Sequence, residues 1–145
     1  MNHSDDPFDL DRFVRAQDGT FATALVEIRG GRKRSHWMWF VLPQIAGLGF
    51  SAMSQRYAIQ GVAEAQAYLE HRVLGPRLLE CVEALLTVAR RSAHEIFGSP
   101  DDLKLQSCAT LFVQVTPPGS VFERLLEKYF AGERDPRTLE LLQAT

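Results

Sequence analysis

The sequence predicts an all-α protein, a compact single-domain bundle of roughly eight to ten short and medium helices. Three observations lead there. Apolar residues recur at three- and four-residue spacing through most of the chain, as in Phe21, Leu25 and Ile28. No segment alternates with period two over a useful length, and Gly and Pro leave only short connections. The chain has 145 residues, 46% hydrophobic and 23% charged, which suits one domain with a buried core and not a disordered chain. A single domain over residues 1–145 is expected, with residues 1–7 as a flexible N-terminal tail.

The elements follow in order. Residues 9–17 read as a short helix. Phe21, Ala24, Leu25 and Ile28 form one face of a second, stopped by Gly30-Gly31. Ser35 is a candidate N-cap for a short helix over 36–41, ended by Pro43. Residues 41–50 leave loop, short helix or a little strand open. Residues 51–59 and 62–70 look helical. Leu78, Val82, Leu85, Leu86 and Ala89 mark the longest helix, about 74–91, with Pro76 in its first turn. Ser99-Pro100-Asp101-Asp102 reads as a helix start: a cap, a proline and acids favoured by the dipole. That helix carries Cys108, Leu111, Phe112 and Val115 and ends before Pro117-Pro118. Val121 to Phe130 repeats the pattern up to Gly132, and Asp135-Pro136 opens a last helix with Leu139 and Leu142.

Composition also limits function. The formal net charge of -2 argues against a dedicated nucleic-acid or polyanion binder. Cys81 and Cys108 have no neighbours at metal-ligand or redox spacing and read as buried thiols. The N-terminus is acidic and polar, unlike a signal peptide. The most apolar stretch, 37–53, is interrupted by Pro43, Gln44, Gly47 and Gly49, so no membrane span is expected. A soluble cytoplasmic protein is the expectation. His3, His36, His71 and His94 lie far apart with no HExxH or Cys/His pattern, so no metal is expected. Walker A, GxGxxG and GxSxG motifs are missing, and no cofactor is expected.

Residues 30–44 stand out. They join Arg32, Lys33 and Arg34 to His36 and to both tryptophans, Trp37 and Trp39, and lead to Gln44. Backbone N–H groups at a helix start behind Ser35, with three cations beside them, would hold an anion. A tryptophan would add a stacking wall. The structural alternatives are a core role for most of the aromatic run, a solvated turn for the cations and a hydrogen-bonded His36. Elsewhere, Lys104 sits between Leu103 and Leu105, and burial there would lower its pKa unless an acid pairs with it. Asp101 and Asp102 suit a first helical turn. Arg56-Tyr57 lies on a helix near Ser51 and Gln55, where Tyr57 either donates into a pocket or caps the core. His71 suits a helix C-terminus, and Glu64 and Glu80 are expected to face water.

Arg32-Lys33-Arg34-Ser35-His36-Trp37-Met38-Trp39-Phe40, followed by Pro43-Gln44, resembles the hallmark of a bacterial family catalogued as domain of unknown function 1810. Gly47-Leu48-Gly49, Ser51, Arg56-Tyr57-Ala58-Ile59 and Ala67-Tyr68-Leu69 with His71 extend the likeness. Leu74-Gly75 with Arg77-Leu78, Asp101-Asp102 with Lys104-Leu105, and Ser107, Thr110, Leu111 and Phe112 complete it over residues 10–142. Cys108 stands where another small residue is expected. The resemblance implies a compact helical fold and no settled activity. Members are sometimes labelled calpastatin-like, a label at odds with a chain patterned to fold. The family is also distantly similar to the YbiA-like proteins that act on ADP-ribose or related N-glycosides.

Three functions compete. The first is a small-molecule site, enzymatic or not, for a nucleotide- or ADP-ribose-like anion. Arg32, Lys33, Arg34 and Ser35 would hold the anion, Trp37 or Trp39 would form a wall with Gln44, Arg56 and Asp101 near, and His36, Tyr57 and Lys104 would supply catalytic chemistry. Hydrolysis of an N-glycosidic bond would need a carboxylate, Asp101 or Asp102. The second is a protein-interaction module or homo-oligomer with Trp37, Trp39 or Phe40 exposed. The third, nucleic-acid binding through residues 30–35, has a small cationic footprint.

Overall fold

The fold is all-α, as the periodicity predicts. The computed structural model describes residues 5–144, so Met1–Ser4, with His3, lie outside the described residues. The ten helices among them are α1 (Asp11–Gln17), α2 (Phe21–Arg29), α3 (Met38–Val41), α4 (Ala52–Arg56), α5 (Val62–Glu70), α6 (Leu74–Thr87), α7 (Ala93–Phe97), α8 (Asp101–Val113), α9 (Val121–Phe130) and α10 (Pro136–Gln143). None is long and apolar enough to cross a membrane. Within the segment expected as a tail, the Asp6 carboxylate accepts the N–H groups of Leu10 and Asp11 and so caps α1.

Helix α8 is the central element. Its residues from Ser107 to Phe112 are all buried, so it is covered on every side, by α5, α7, α9 and α10. Helix α6 packs against α2, α5 and α9. Aromatic rings run through the core from Phe40 to Tyr57, Phe13, Tyr68, Phe112 and Phe122, with centroids 5.1–5.8 Å apart. Cys81 and Cys108 are free and buried, as read from the sequence, and burial pushes the Cys81 thiol up to about 12.

Several boundaries differ from expectation. Helix α6 stops at Thr87, four residues early, because Lys128 Nζ binds the carbonyls of Leu85, Leu86 and Val88. A further helix, α7, follows at once. Its Ser92 and Glu95 form a reciprocal capping box, a Ser-x-x-Glu signature that the apolar pattern alone had hidden. The helix expected over 51–59 ends at Arg56, and Ile59 instead makes a parallel bridge with Ile45. Ser99 is not the cap of α8, whose N-cap position is Pro100. His71 is the C-cap of α5, as expected, and also serves α6: its Nδ1 accepts the N–H groups of Val73 and Leu74. Asp135 does cap α10, accepting the Thr138 N–H at 3.1 Å, with Pro136 behind it.

Candidate functional site

The basic run leaves α2 as a non-helical segment with a bend at Ser35 and His36. From Gly31 to Trp37, alternate residues are turned inward and outward: Lys33, Ser35 and Trp37 go in, and Arg32, Arg34 and His36 stay exposed. The Lys33 N–H donates to the Ile96 carbonyl at 2.7 Å, which ties the segment to α7. Helix α3 starts only at Met38 and has no side-chain cap, so Ser35 is not its N-cap.

The helix start at His36 that was expected to hold an anion is not formed, and Glu27 of α2 takes the N–H groups of the bend before α3. Its Oε1 accepts the Arg34 N–H at 2.8 Å, the Ser35 N–H at 3.0 Å and the Trp37 indole N–H at 2.9 Å. Its Oε2 accepts the Ser35 hydroxyl at 2.5 Å. Burial raises the Glu27 pKa, but the bonds from the Ser35 hydroxyl, the Arg34 N–H and the Trp37 indole outweigh it and hold the carboxyl at about 2. At this bend the N–H groups of Arg34 and Ser35 are therefore occupied from within the protein, by Glu27. Ser35 and Trp37 are bound by it, and Trp37 is completely buried.

Behind Trp37, two lysines share one carboxylate. Lys33 Nζ is 2.8 Å from Asp101 Oδ2, and Lys104 Nζ is 3.4 Å from Asp101 Oδ1. Each ammonium also faces an indole: Lys33 lies 5.1 Å from the Trp37 ring centroid and Lys104 lies 5.4 Å from that of Trp39. The Lys33 side chain is only 8% exposed, whereas that of Lys104 is 22% exposed. Both oxygens of Asp101 are thus engaged by ammonium groups, and Lys104 is the one that reaches solvent.

Two clefts meet on the solvent side of this cluster. One, of about 360 Å³, is lined by Gln44, Leu48, Pro100, Lys104, Ser107 and Asp135. Asp135 Oδ2 is turned to the Ser107 hydroxyl at 3.0 Å and to the first turn of α10. The other, of about 320 Å³, is lined by Trp39, Gln44, Ser54, Gln55, Tyr57 and Gln60. Gln44 and Gly49 belong to both. The wall of the second cleft is set by the Ile45–Ile59 bridge, where Ala46 N–H donates to the Ile59 carbonyl and Ile59 N–H to the Gln44 carbonyl. Arg12 ties down the backbone of the same wall. It donates to the carbonyls of Arg56 and Ala58 and pairs with Glu64 at 2.9 Å. Glu64 was expected to face water and is 2% exposed instead, because Arg12 and the Gln60 N–H supply its partners.

Of the expected site residues, Trp39, Gln44, Tyr57 and Lys104 line these clefts, and Asp101 and Lys33 are linked to them through Lys104. It does not bring in His36, Arg32 or Arg34. The two arginines border a separate groove over Ala22, Thr23 and Val26, and His36 is exposed. Arg56 is exposed at the end of α4, beside Tyr57. Among the described residues no cluster of His, Cys, Asp or Glu could hold a metal ion. Sequence reasoning missed Glu27 and the Arg12–Glu64 pair. Glu27 did carry a signal, since a carboxylate in the last turns of a helix opposes the dipole and calls for another partner.

Residues 7–142 match the family described as "Protein of unknown function (DUF1810)". Among solved structures, the conserved hypothetical protein Rv1873 from Mycobacterium tuberculosis is similar, at 54% identity and a TM-score of 0.94, over 97% of this chain and 100% of that one. A search of curated proteins gave no match. The hallmark run, the helical fold and the matched span agree, and the chain belongs to the DUF1810 family of proteins of unknown function.

Proposed function

We propose that this protein binds a small anionic molecule, of nucleotide-like or ADP-ribose-like chemistry, in the two clefts that meet at Gln44. The observation that carries this reading is the position of Lys104, an ammonium at a cleft wall beside the partly exposed Trp39 ring. Asp101 is shared with Lys33, so the trio keeps one positive charge in excess. Such a charge next to an aromatic face suits an anion attached to a planar ring. In this reading Lys33, Asp101, Trp37 and Ser35 position the wall, and Trp39, Gln44 and Lys104 meet the ligand.

Thermal and chemical denaturation in the presence of phosphate, AMP, ADP and ADP-ribose tests it. A ligand present at about 100 times its Kd adds about 2.7 kcal/mol of stability. Lys104→Met keeps the alkyl stem and removes the charge, and should abolish that gain. The reading is wrong if no ligand stabilises the protein, or if Lys104→Met is stabilised as much as the parent. The interaction-module alternative has less support, because Trp37 and Phe40 are buried in the core and cannot anchor a partner.

A further inference from the structure

We infer that the ligand site has a second anion subsite at Arg56, across Tyr57, so that its ligand carries anionic groups at both ends of an uncharged, hydrogen-bonding middle. This rests on reading the Lys104 cleft as a ligand site. Tyr57 lines two clefts: the 320 Å³ one already described, and another of about 240 Å³ whose other walls are Arg12, Arg15, Ala16 and Arg56. The three clefts share lining residues in turn, Gln44 and Gly49 between the first two and Tyr57, which is 7% exposed, between the last two.

Their chemistry differs along the line. The middle cleft has no charged residue in its lining. Its polar groups are neutral, and the carboxamides of Gln44 and Gln60 and the Tyr57 hydroxyl make no hydrogen bond within the protein among the described residues. Such groups suit the edge of a polar ring. The outer clefts carry charge instead: one has Lys104 with the Asp135 carboxylate, which accepts from the Ser107 and Thr138 hydroxyls, and the other has three arginines. In the arginine cleft, Arg12 is spent on Glu64 and backbone carbonyls, and Arg15 pairs with Asp11 at 2.9 Å. Arg56 has no carboxylate partner among the described residues, and its guanidinium lies 5.5 Å from the Tyr57 ring centroid. Its backbone is held, since the Arg56 carbonyl accepts from Arg12 Nε at 2.8 Å. A planar guanidinium with open donors on an anchored backbone suits a phosphate. The chemical class that fits all three clefts is a nucleoside phosphorylated at two positions.

Calorimetric titration of the full chain with 5′-monophosphates and 3′,5′-bisphosphates of adenosine and guanosine tests this. For at least one base, the bisphosphate should bind about tenfold more tightly than the monophosphate, the gain of one charge-assisted contact. Arg56→Gln should bring that ratio to about one. Equal binding of the two by the parent protein, or a ratio that survives Arg56→Gln, overturns the second subsite and leaves the Lys104 site standing. If neither class binds, both readings fail. Circular dichroism of Arg56→Gln shows whether it is folded. Arg56→Lys is the second variant, and restores part of the ratio if the charge is what acts.

Discussion

Glu27 offers the sharpest test of how the site is built, and the perturbation is Glu27→Gln. The carboxylate accepts four hydrogen bonds from Arg34, Ser35 and Trp37, and its pKa falls from 4.5 to about 2. At about 1.4 kcal/mol per tenfold change in proton affinity, that fall corresponds to about 3 kcal/mol, which solvent screening at a half-buried position reduces to about 2 kcal/mol. Because the folded-state pKa is the lower one, this stability is fully present above the unfolded value near 4.5 and is lost as pH falls towards 2. Glu27→Gln removes the charge and turns an amide donor towards groups that are themselves donors. Urea unfolding at a series of pH values provides the assay. At pH 7 the variant should be about 2 kcal/mol less stable than the parent, and the gap should close between about pH 4.5 and pH 2. A gap below about 0.5 kcal/mol at pH 7, or one that does not narrow with acid, would refute the view that Glu27 holds the bend before α3.

Two further substitutions probe the supports of the site. Gly75→Ala would place a Cβ 2.1 Å from the Leu69 carbonyl oxygen, a backbone atom that cannot move aside cheaply, so a loss of about 3 kcal/mol is expected in urea unfolding; a loss below about 1 kcal/mol would mean that α5 and α6 approach less closely. Glu64→Ala leaves the partly buried Arg12 without its counter-charge and should cost about 3 kcal/mol, with broadened NMR signals for Tyr57 and Gln60. An unchanged spectrum there would show that Arg12 does not hold the cleft wall.

The helices were legible because the apolar spacing is strong and local. Leu78, Val82 and Leu85 on α6 and the Asp135-Pro136 start of α10 depend on neighbours within a turn or two. The parts that were not legible depend on distant residues. Nothing local says that Lys128, about forty residues on, will take the carbonyls that end α6. Nothing local says that Arg12 will sit under residues 56–64, which is why Glu64, polar and on a helix, looks like a solvent-facing residue.

The basic run shows the same limit in a more useful form. Three consecutive cations read as one patch only if the backbone lets their side chains point together. Here they do not, because burial alternates along the segment. Arg32 and Arg34 therefore go to the outer groove while Lys33 goes to Asp101 and Trp37. The alternation was present in the sequence, with polar, exposed residues at 32, 34 and 36 and the anchored ones at 33, 35 and 37, but Lys33 and Ser35 are polar as well, so hydropathy does not reveal it. What reverses the reading is the carboxylate supply. Glu27 and Asp101 each lie where an inward cation or N–H group would otherwise be buried unpaired, and a buried unpaired charge is the more costly state. In the proposed reading the cation that meets the ligand is not one of the three in the run but Lys104, seventy residues on, which is tied to Lys33 through the shared carboxylate.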